Sequence, residues 1–237
     1  MKKTVFLLNI GDYAPEITAM TYPLIERWAK KIGAGVQIIA QRKFPEWDLD
    51  YEKLQIYELS EQMGNDWNIY IDSDAVVHPD LPDFTEMIPR DTVLHNGSDF
   101  APARWRYDKY FRRDGRHIGS CNWLACASSW CTDLWRPLDD MTMEQAAANI
   151  TPINHELKTV ITAEHLVSDY ALSRNIARFG LKFTTLQALW KSHGLEQPSP
   201  DPPHNIVKPN FFYHEYTLTR QEKAVRLKEI IKKWELA

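Results

Sequence analysis

The chain has 237 residues, enough for one sizeable core, and its hydrophobic and charged fractions, 44% and 25%, are those of a soluble globular protein rather than a disordered or fibrous one. A formal charge of -4 gives no global attraction to nucleic acid and argues against a DNA- or RNA-binding protein. Cys121, Cys126 and Cys131 are odd in number and lack C-x-x-C spacing, which argues against a disulfide framework or a zinc site and favours a reducing, cytoplasmic setting.

Met1-Lys2-Lys3 and the apolar residues after it have the outline of a signal peptide, but the run stops at Gly11-Asp12 without a small-residue cleavage site. Residues 4–10 read better as a first β-strand. Met20, Leu24, Ile25, Trp28 and Ile32 then recur at helical spacing, with Pro23 tolerable near a first turn or at a kink. Gly33 and Gly35 end that helix, and residues 36–40 form a second strand, so the order suggests a parallel βαβ unit. A helix over residues 51–63 leads through Gly64-Asn65 into a short apolar strand, residues 67–71. Strands are expected near 92–94 and 123–127, a helix over 162–179, an irregular Pro-rich connection over 197–203, and a last strand over 210–214. Thr219-x-x-Glu222 is a capping box that opens a terminal helix over about 220–234. No segment is long and apolar enough to span a bilayer. Without an internal repeat or a boundary, 1–237 reads as a single domain.

The strand over 67–71 runs straight into Asp72-Ser73-Asp74. Side chains two apart on a strand share a face, so both carboxylates are expected to converge at the strand's end. Like charges held that close need a shared cation or proton, and a divalent metal is the usual partner where phosphate is handled. Acids at a strand end also serve as turn or helix caps. Sheets of parallel strands bind ligands at their carboxyl ends, where Asn9, Gly11 and Asp72 would lie.

The order of these features resembles nucleotide-sugar glycosyltransferases of the GT-A fold, and within them the glycogenin-like family eight. The likeness covers the first loop, Asn9-Ile10-Gly11-Asp12-Tyr13, Lys53-Leu54 before the metal motif, and Tyr70-Ile71-Asp72-Ser73-Asp74 itself. Further on it covers Asn122, Asp169 and His214. The sequence departs from the family after these last three: Trp123-Leu124 follows Asn122, Tyr170 follows Asp169, and Glu215-Tyr216 follows His214.

The resemblance implies an α/β fold with a mixed, mostly parallel sheet flanked by helices. It implies a Mn²⁺ (or Mg²⁺) ion held by Asp72, Asp74 and His214, with Asn9, Ile10, Gly11, Tyr13, Lys53 and Ser73 around a nucleotide-diphosphate sugar, expected to be UDP-linked. It implies further that Asp99 binds the donor sugar, that Asp169 and Asn122 act in catalysis, and that a hexose passes to a glycan or other hydroxyl acceptor with retention. His193 is a rival third metal ligand. The Arg- and aromatic-rich stretch 101–117 is a candidate lid. On the terminal helix Ala224, Leu227, Ile231 and Trp234 line one face, and Lys223, Arg226, Lys228, Lys232 and Lys233 take others. Such a helix can settle on an anionic membrane surface, but more often it packs on its domain with its lysines in water. Two other functions stay open. Asp72-Ser73-Asp74-Ala75-Val76 also fits the nucleophile motif of haloacid dehalogenase-type phosphatases, although that motif belongs on a core's first strand. A catalytically silent sugar-nucleotide or glycan-binding protein would keep the same fold.

Overall fold

The computed structural model describes residues 1–96, 123–150, 153–154, 160–195, 211–214 and 218–234. Asp99, Asn122 and the stretch 101–117 lie outside the described residues. The sheet begins with β1 (Lys3–Leu8), which continues through α1 (Pro15–Lys31) into β2 (Ala34–Ile39), parallel to β1 with Lys3 opposite Ala34. A 3₁₀ segment (Leu49–Gln55) and α2 (Ile56–Met63) lead to β3 (Trp67–Ile71), which lies on the other side of β1. β5 (Thr92–His95), β6 (Leu124–Ser128) and β9 (Lys182–Thr185) complete the order β2-β1-β3-β6-β5-β9. β6 runs antiparallel to both its neighbours and the other pairs are parallel, so the sheet is mixed but mostly parallel. Two short ribbons flank it: β4 (Val76–Val77) pairs with β10 (Phe212–Tyr213), and β7 (Ile153–Asn154) pairs with β8 (Val160–Ile161). The remaining helices are α3 (Met143–Ala147), α4 (Val167–Arg178), α5 (Leu186–Ser192) and α6 (Arg220–Lys233).

Alternation along the central strands builds a core on each face. Val5, Leu7, Trp67, Ile69 and Ile71 pack with Ile25 and Trp28 of α1 and with Trp190 of α5. Phe6 and Tyr70 face Tyr51, Leu54 and the α4 residues Val167, Tyr170 and Ala171. β3 is buried along its whole length, as expected of a central strand covered on both faces. Among the described residues no helix is long and apolar enough to cross a membrane.

Three details differ from the sequence reading. α1 carries Pro23 in its interior rather than near its first turn, because its buried face, from Ile17 to Trp28, is fixed by packing that outweighs one lost backbone hydrogen bond. The helix expected over 51–63 divides at Ile56 into a 3₁₀ segment and α2. α4 starts at Val167 rather than 162, after a turn in which Leu166 N donates to Ala163 O. α6 lays Leu227 and Ile230 against Ile17, Leu24 and Tyr213, the packing on its own domain that the sequence favoured over a membrane surface.

The loop before the 3₁₀ segment is held by one buried side chain, Glu52. Its carboxylate accepts from the backbone N–H of Lys43 (2.8 Å) and of Phe44 (3.0 Å), from Arg42 Nε (3.3 Å) and from Gln55 Nε2 (2.8 Å). Removing a buried carboxylate leaves such donors unpaired. Glu52→Ala should therefore cost roughly 3 kcal/mol in urea unfolding; a loss below about 1 kcal/mol, the net worth of an ordinary hydrogen bond, would show that the loop is held by other contacts.

Candidate metal and nucleotide site

β1 and β3 are parallel neighbours in the sheet, and parallel sheets bind ligands at the carboxyl ends of such strands. Two segments emerge there. After β1, Gly11, Asp12 and Ala14 all take left-handed backbone, at φ 68°, 55° and 48°. Glycine adopts this readily, but for Asp12 and Ala14 it stores strain, which is common at ligand-binding loops. Buried Ala14 anchors the loop to α1 while Tyr13 is left exposed. Asn9 is held by its N–H to Ile39 O at 3.0 Å, and its buried Oδ1 accepts no hydrogen bond from the described residues.

After β3 the chain turns, with Ala75 N donating to Asp72 O at 3.0 Å. Ser73 pins this turn: its Oγ donates to Leu8 O (2.6 Å), and its carbonyl accepts from Thr21 Oγ1 of α1 (2.5 Å). The strand itself ends at Ile71, so it is the turn, rather than strand alternation, that brings the two carboxylates together. Alternation instead aligns Tyr70 with Asp72, and the Tyr70 hydroxyl donates to Asp72 Oδ1 at 2.5 Å.

The ribbon of β4 and β10 places His214. Tyr213 pairs with Val76, so the next residue lands beside the turn. His214 Nε2 lies 3.3 Å from Asp72 Oδ2 and 3.2 Å from Asp74 Oδ1, and its ring stacks on Trp123 at 5.4 Å. Asp72, Asp74 and His214 offer ligand atoms within 4.8 Å of one another, with a single nitrogen facing both carboxylates. An imidazole and two carboxylates converging on one point suit a divalent transition metal. The rival ligand His193 is exposed at the end of α5, with Nδ1 against Leu189 O at 3.0 Å.

A fourth group was missed by the sequence reading. Lys223 of α6, assigned there to a solvated face, is buried and donates to Asp74 Oδ2 at 2.5 Å. The signal was available: Lys223 falls four and seven residues before Leu227 and Ile230, on the apolar stripe itself. Arg220, one turn earlier, grips Glu16 of α1 with both arms (2.6 and 2.7 Å).

These charges set one another's protonation. Burial disfavours charge on Asp74, but His214 and Lys223 outweigh it and hold the carboxyl well below its usual range. Burial likewise opposes charge on Asp72, and Lys53 and then His214 overcome it. His214 resists burial through the two carboxylates, Asp74 first, and is raised to about 9. Lys53, a candidate from the first reading, is buried on the 3₁₀ segment with Nζ 4.8 Å from the centre of the Tyr70 ring. Asp169 is buried in the first turn of α4, where a helix N-terminus favours an acid. Asp48, Asp50 and His165 form a second group with ligand atoms within 4.8 Å, which the sequence reading did not contain.

No protein-family model and no curated protein matches the chain. Among solved structures it is similar to a glycosyltransferase involved in the glycosylation of the major capsid of PBCV-1, with a TM-score of 0.52 and 12% identity over 97% of this chain and 100% of that one. A mutant of Drosophila β1,4-galactosyltransferase 7 in complex with manganese, UDP-Gal and xylobiose gives a TM-score of 0.41 at 11% identity, over 79% of this chain and 66% of that one. The fold is of the Rossmann-like GT-A type. With the Asp-x-Asp motif on the third strand, the haloacid dehalogenase reading loses the first-strand placement it needs.

The metal-free site makes stability depend on pH. The ordinary pKa of histidine is near 6.5, and His214 folded sits at about 9, so its contribution is complete below 6.5 and is lost as pH rises through 9. Asp72 and Asp74 titrate below this window and Lys223 above it. In metal-free protein, the melting temperature of wild type relative to His214→Gln should fall steadily between pH 6.5 and 9. A difference independent of pH would contradict the assignment.

Proposed function

We propose that the protein is a metal-dependent glycosyltransferase that moves a hexose from a nucleoside diphosphate, UDP in the first instance, to a hydroxyl of a glycan or similar acceptor. The observation that carries this reading is the convergence of Asp72, Asp74 and His214 at the carboxyl end of β3, beside the strained loop after β1, in a GT-A sheet. The donor set of one imidazole and two carboxylates favours Mn²⁺, with Mg²⁺ the alternative. When bound, the metal supplies Lewis-acid stabilisation of the negative charge that grows on a leaving diphosphate.

The chain's own groups divide the remaining work. Lys223 and Lys53 carry positive charge to the same end of the sheet, which suits a diphosphate. Asn9 presents a buried acceptor atom to a donor on the base or ribose, and Ile10, Gly11 and Tyr13 wall the same loop. Asp169 is the candidate for the sugar side, together with Asn122 and Asp99. The likeness to glycogenin-like enzymes would imply retention of configuration. The rival is a silent sugar-nucleotide binder, which would bind the donor without ever hydrolysing it.

A thermal-shift series with UDP, GDP and CMP, each with Mn²⁺ or EDTA, tests the reading. UDP at about a hundred times its dissociation constant should raise the melting temperature by on the order of 5 °C. The rise should vanish in EDTA and in Asp74→Ala, each measured against its own ligand-free baseline. No rise with any nucleotide, or an equal rise in EDTA, would defeat it.

A further inference from the structure

The point marked by His214 Nε2 is reached by one oxygen of each carboxylate. At Asp72 that oxygen is Oδ2, 3.3 Å from Nε2, while the other, Oδ1, accepts from the Tyr70 hydroxyl at 2.5 Å. A carboxylate with both oxygens free can swivel about its last bond and can grip one cation with the pair. One whose outer oxygen is held by a donor presents a single oxygen in a fixed direction. The hydrogen bond from Tyr70 therefore governs how Asp72 meets an ion, as well as where.

Tyr70 is placed to hold that oxygen firmly. Its backbone lies in the middle of the sheet, opposite Phe6 of β1 and Ala125 of β6, and its ring belongs to the same buried cluster as Tyr51 and Leu54. The residue is 1% exposed, so bulk water does not compete for its hydroxyl. Lys53 Nζ lies over the ring, 4.8 Å from its centre, and a cation on that face draws electron density from the ring and strengthens the O–H as a donor. Asp72 is fixed from the backbone side as well. Its N–H donates to Trp123 O at 2.9 Å and its carbonyl accepts from Ala75 N at 3.0 Å. Trp123 also stacks on the His214 ring, so one residue holds both the Asp72 backbone and the imidazole. With the backbone and Oδ1 both taken, Oδ2 is the oxygen left to face the ligand point.

We propose that Tyr70 is a positioning residue that keeps Asp72 a one-oxygen ligand and thereby sets the preference of the site for Mn²⁺ or Mg²⁺ over Ca²⁺. The inference rests on the metal-dependent reading above. Mg²⁺ demands a near-ideal octahedron and Mn²⁺ suits the same shell, in which each carboxylate supplies one oxygen at one corner. Ca²⁺ takes more oxygens in a flexible arrangement and accepts both oxygens of a single carboxylate. A donor that occupies Oδ1 withholds the second oxygen from the larger ion and costs the smaller ones nothing. The Tyr70 hydroxyl acts here without touching the nucleotide, the sugar or the acceptor.

The test compares wild type with Tyr70→Phe, which keeps the buried ring and removes the hydroxyl alone. Continuous-wave EPR measures free Mn²⁺ during titration, and competition with Ca²⁺ gives the affinity for each ion. Loss of a donor behind a metal ligand costs about ten- to a hundredfold in affinity, and Mn²⁺ should weaken by that much. Ca²⁺ should keep its affinity by using the freed Oδ1, so the preference for Mn²⁺ should fall by about tenfold or more. An equal loss for both ions, which a merely structural role would give, overturns the inference, as does unchanged Mn²⁺ binding. A second measurement needs no variant. In infrared difference spectra of the Mn²⁺-loaded protein carrying ¹³C-carboxyl aspartate, a wide separation of the two carboxylate stretches marks a one-oxygen ligand. Wild type should show it, and Tyr70→Phe should show a narrower separation. A wild type whose aspartates all chelate through both oxygens overturns the inference even if Tyr70→Phe does not fold. A wild type that binds no Mn²⁺ overturns the metal-dependent reading and this inference with it, whereas Mn²⁺ binding without any UDP-induced rise in melting temperature overturns the glycosyltransferase reading alone.

Discussion

One buried carboxylate, Asp74, joins the early sheet to the end of the chain. Its Oδ1 faces His214 Nε2 at 3.2 Å and its Oδ2 takes Lys223 at 2.5 Å, so β10 and α6 are both placed by charge as well as by packing. A buried ion left without a partner costs several kcal/mol, which makes these contacts obligatory in the metal-free state. The ribbon of β4 with β10 and the apolar contact of Leu227 and Ile230 bring the partners to the carboxylate, and the carboxylate in turn justifies burying them. A metal held by the proposed ligands would use the same atoms, and its binding would then be linked to proton release from His214 and to the displacement of Lys223 from Asp74. Lys53, buried near Asp72 and Asp50 alike, favours the charged form of both carboxyls; with His214 it outweighs burial at Asp72, while at Asp50 burial prevails and the carboxyl is raised.

Where neighbours in sequence decide the structure, the sequence was legible. β1, β2 and β3 follow from short apolar runs punctuated by Gly33 and Gly64, although β2 starts at Ala34 and takes in Gly35, and the capping box at Thr219 and Glu222 marks the start of α6. Asp72, Asp74 and His214 were singled out by motif and resemblance, and the fold brings them together. What distant packing decides was not legible. The passage of α1 through Pro23 depends on a buried face supplied by the rest of the domain. The meeting of His165 with Asp48 and Asp50 depends on α4 docking over the 3₁₀ segment. Lys223 was a partial case: its place on the apolar stripe was visible, but its partner lies 149 residues away.

The central claim is that His214 and the two carboxylates hold one metal ion. Pulsed EPR of the Mn²⁺-loaded protein tests it most directly, because an imidazole ligand couples its nitrogen spin to the metal's electrons. The account predicts coupling to a single imidazole nitrogen in wild type and its disappearance in His214→Gln, with Mn²⁺ bound more weakly in that variant. Nitrogen coupling that persists in His214→Gln, or that is absent from wild type, would contradict it.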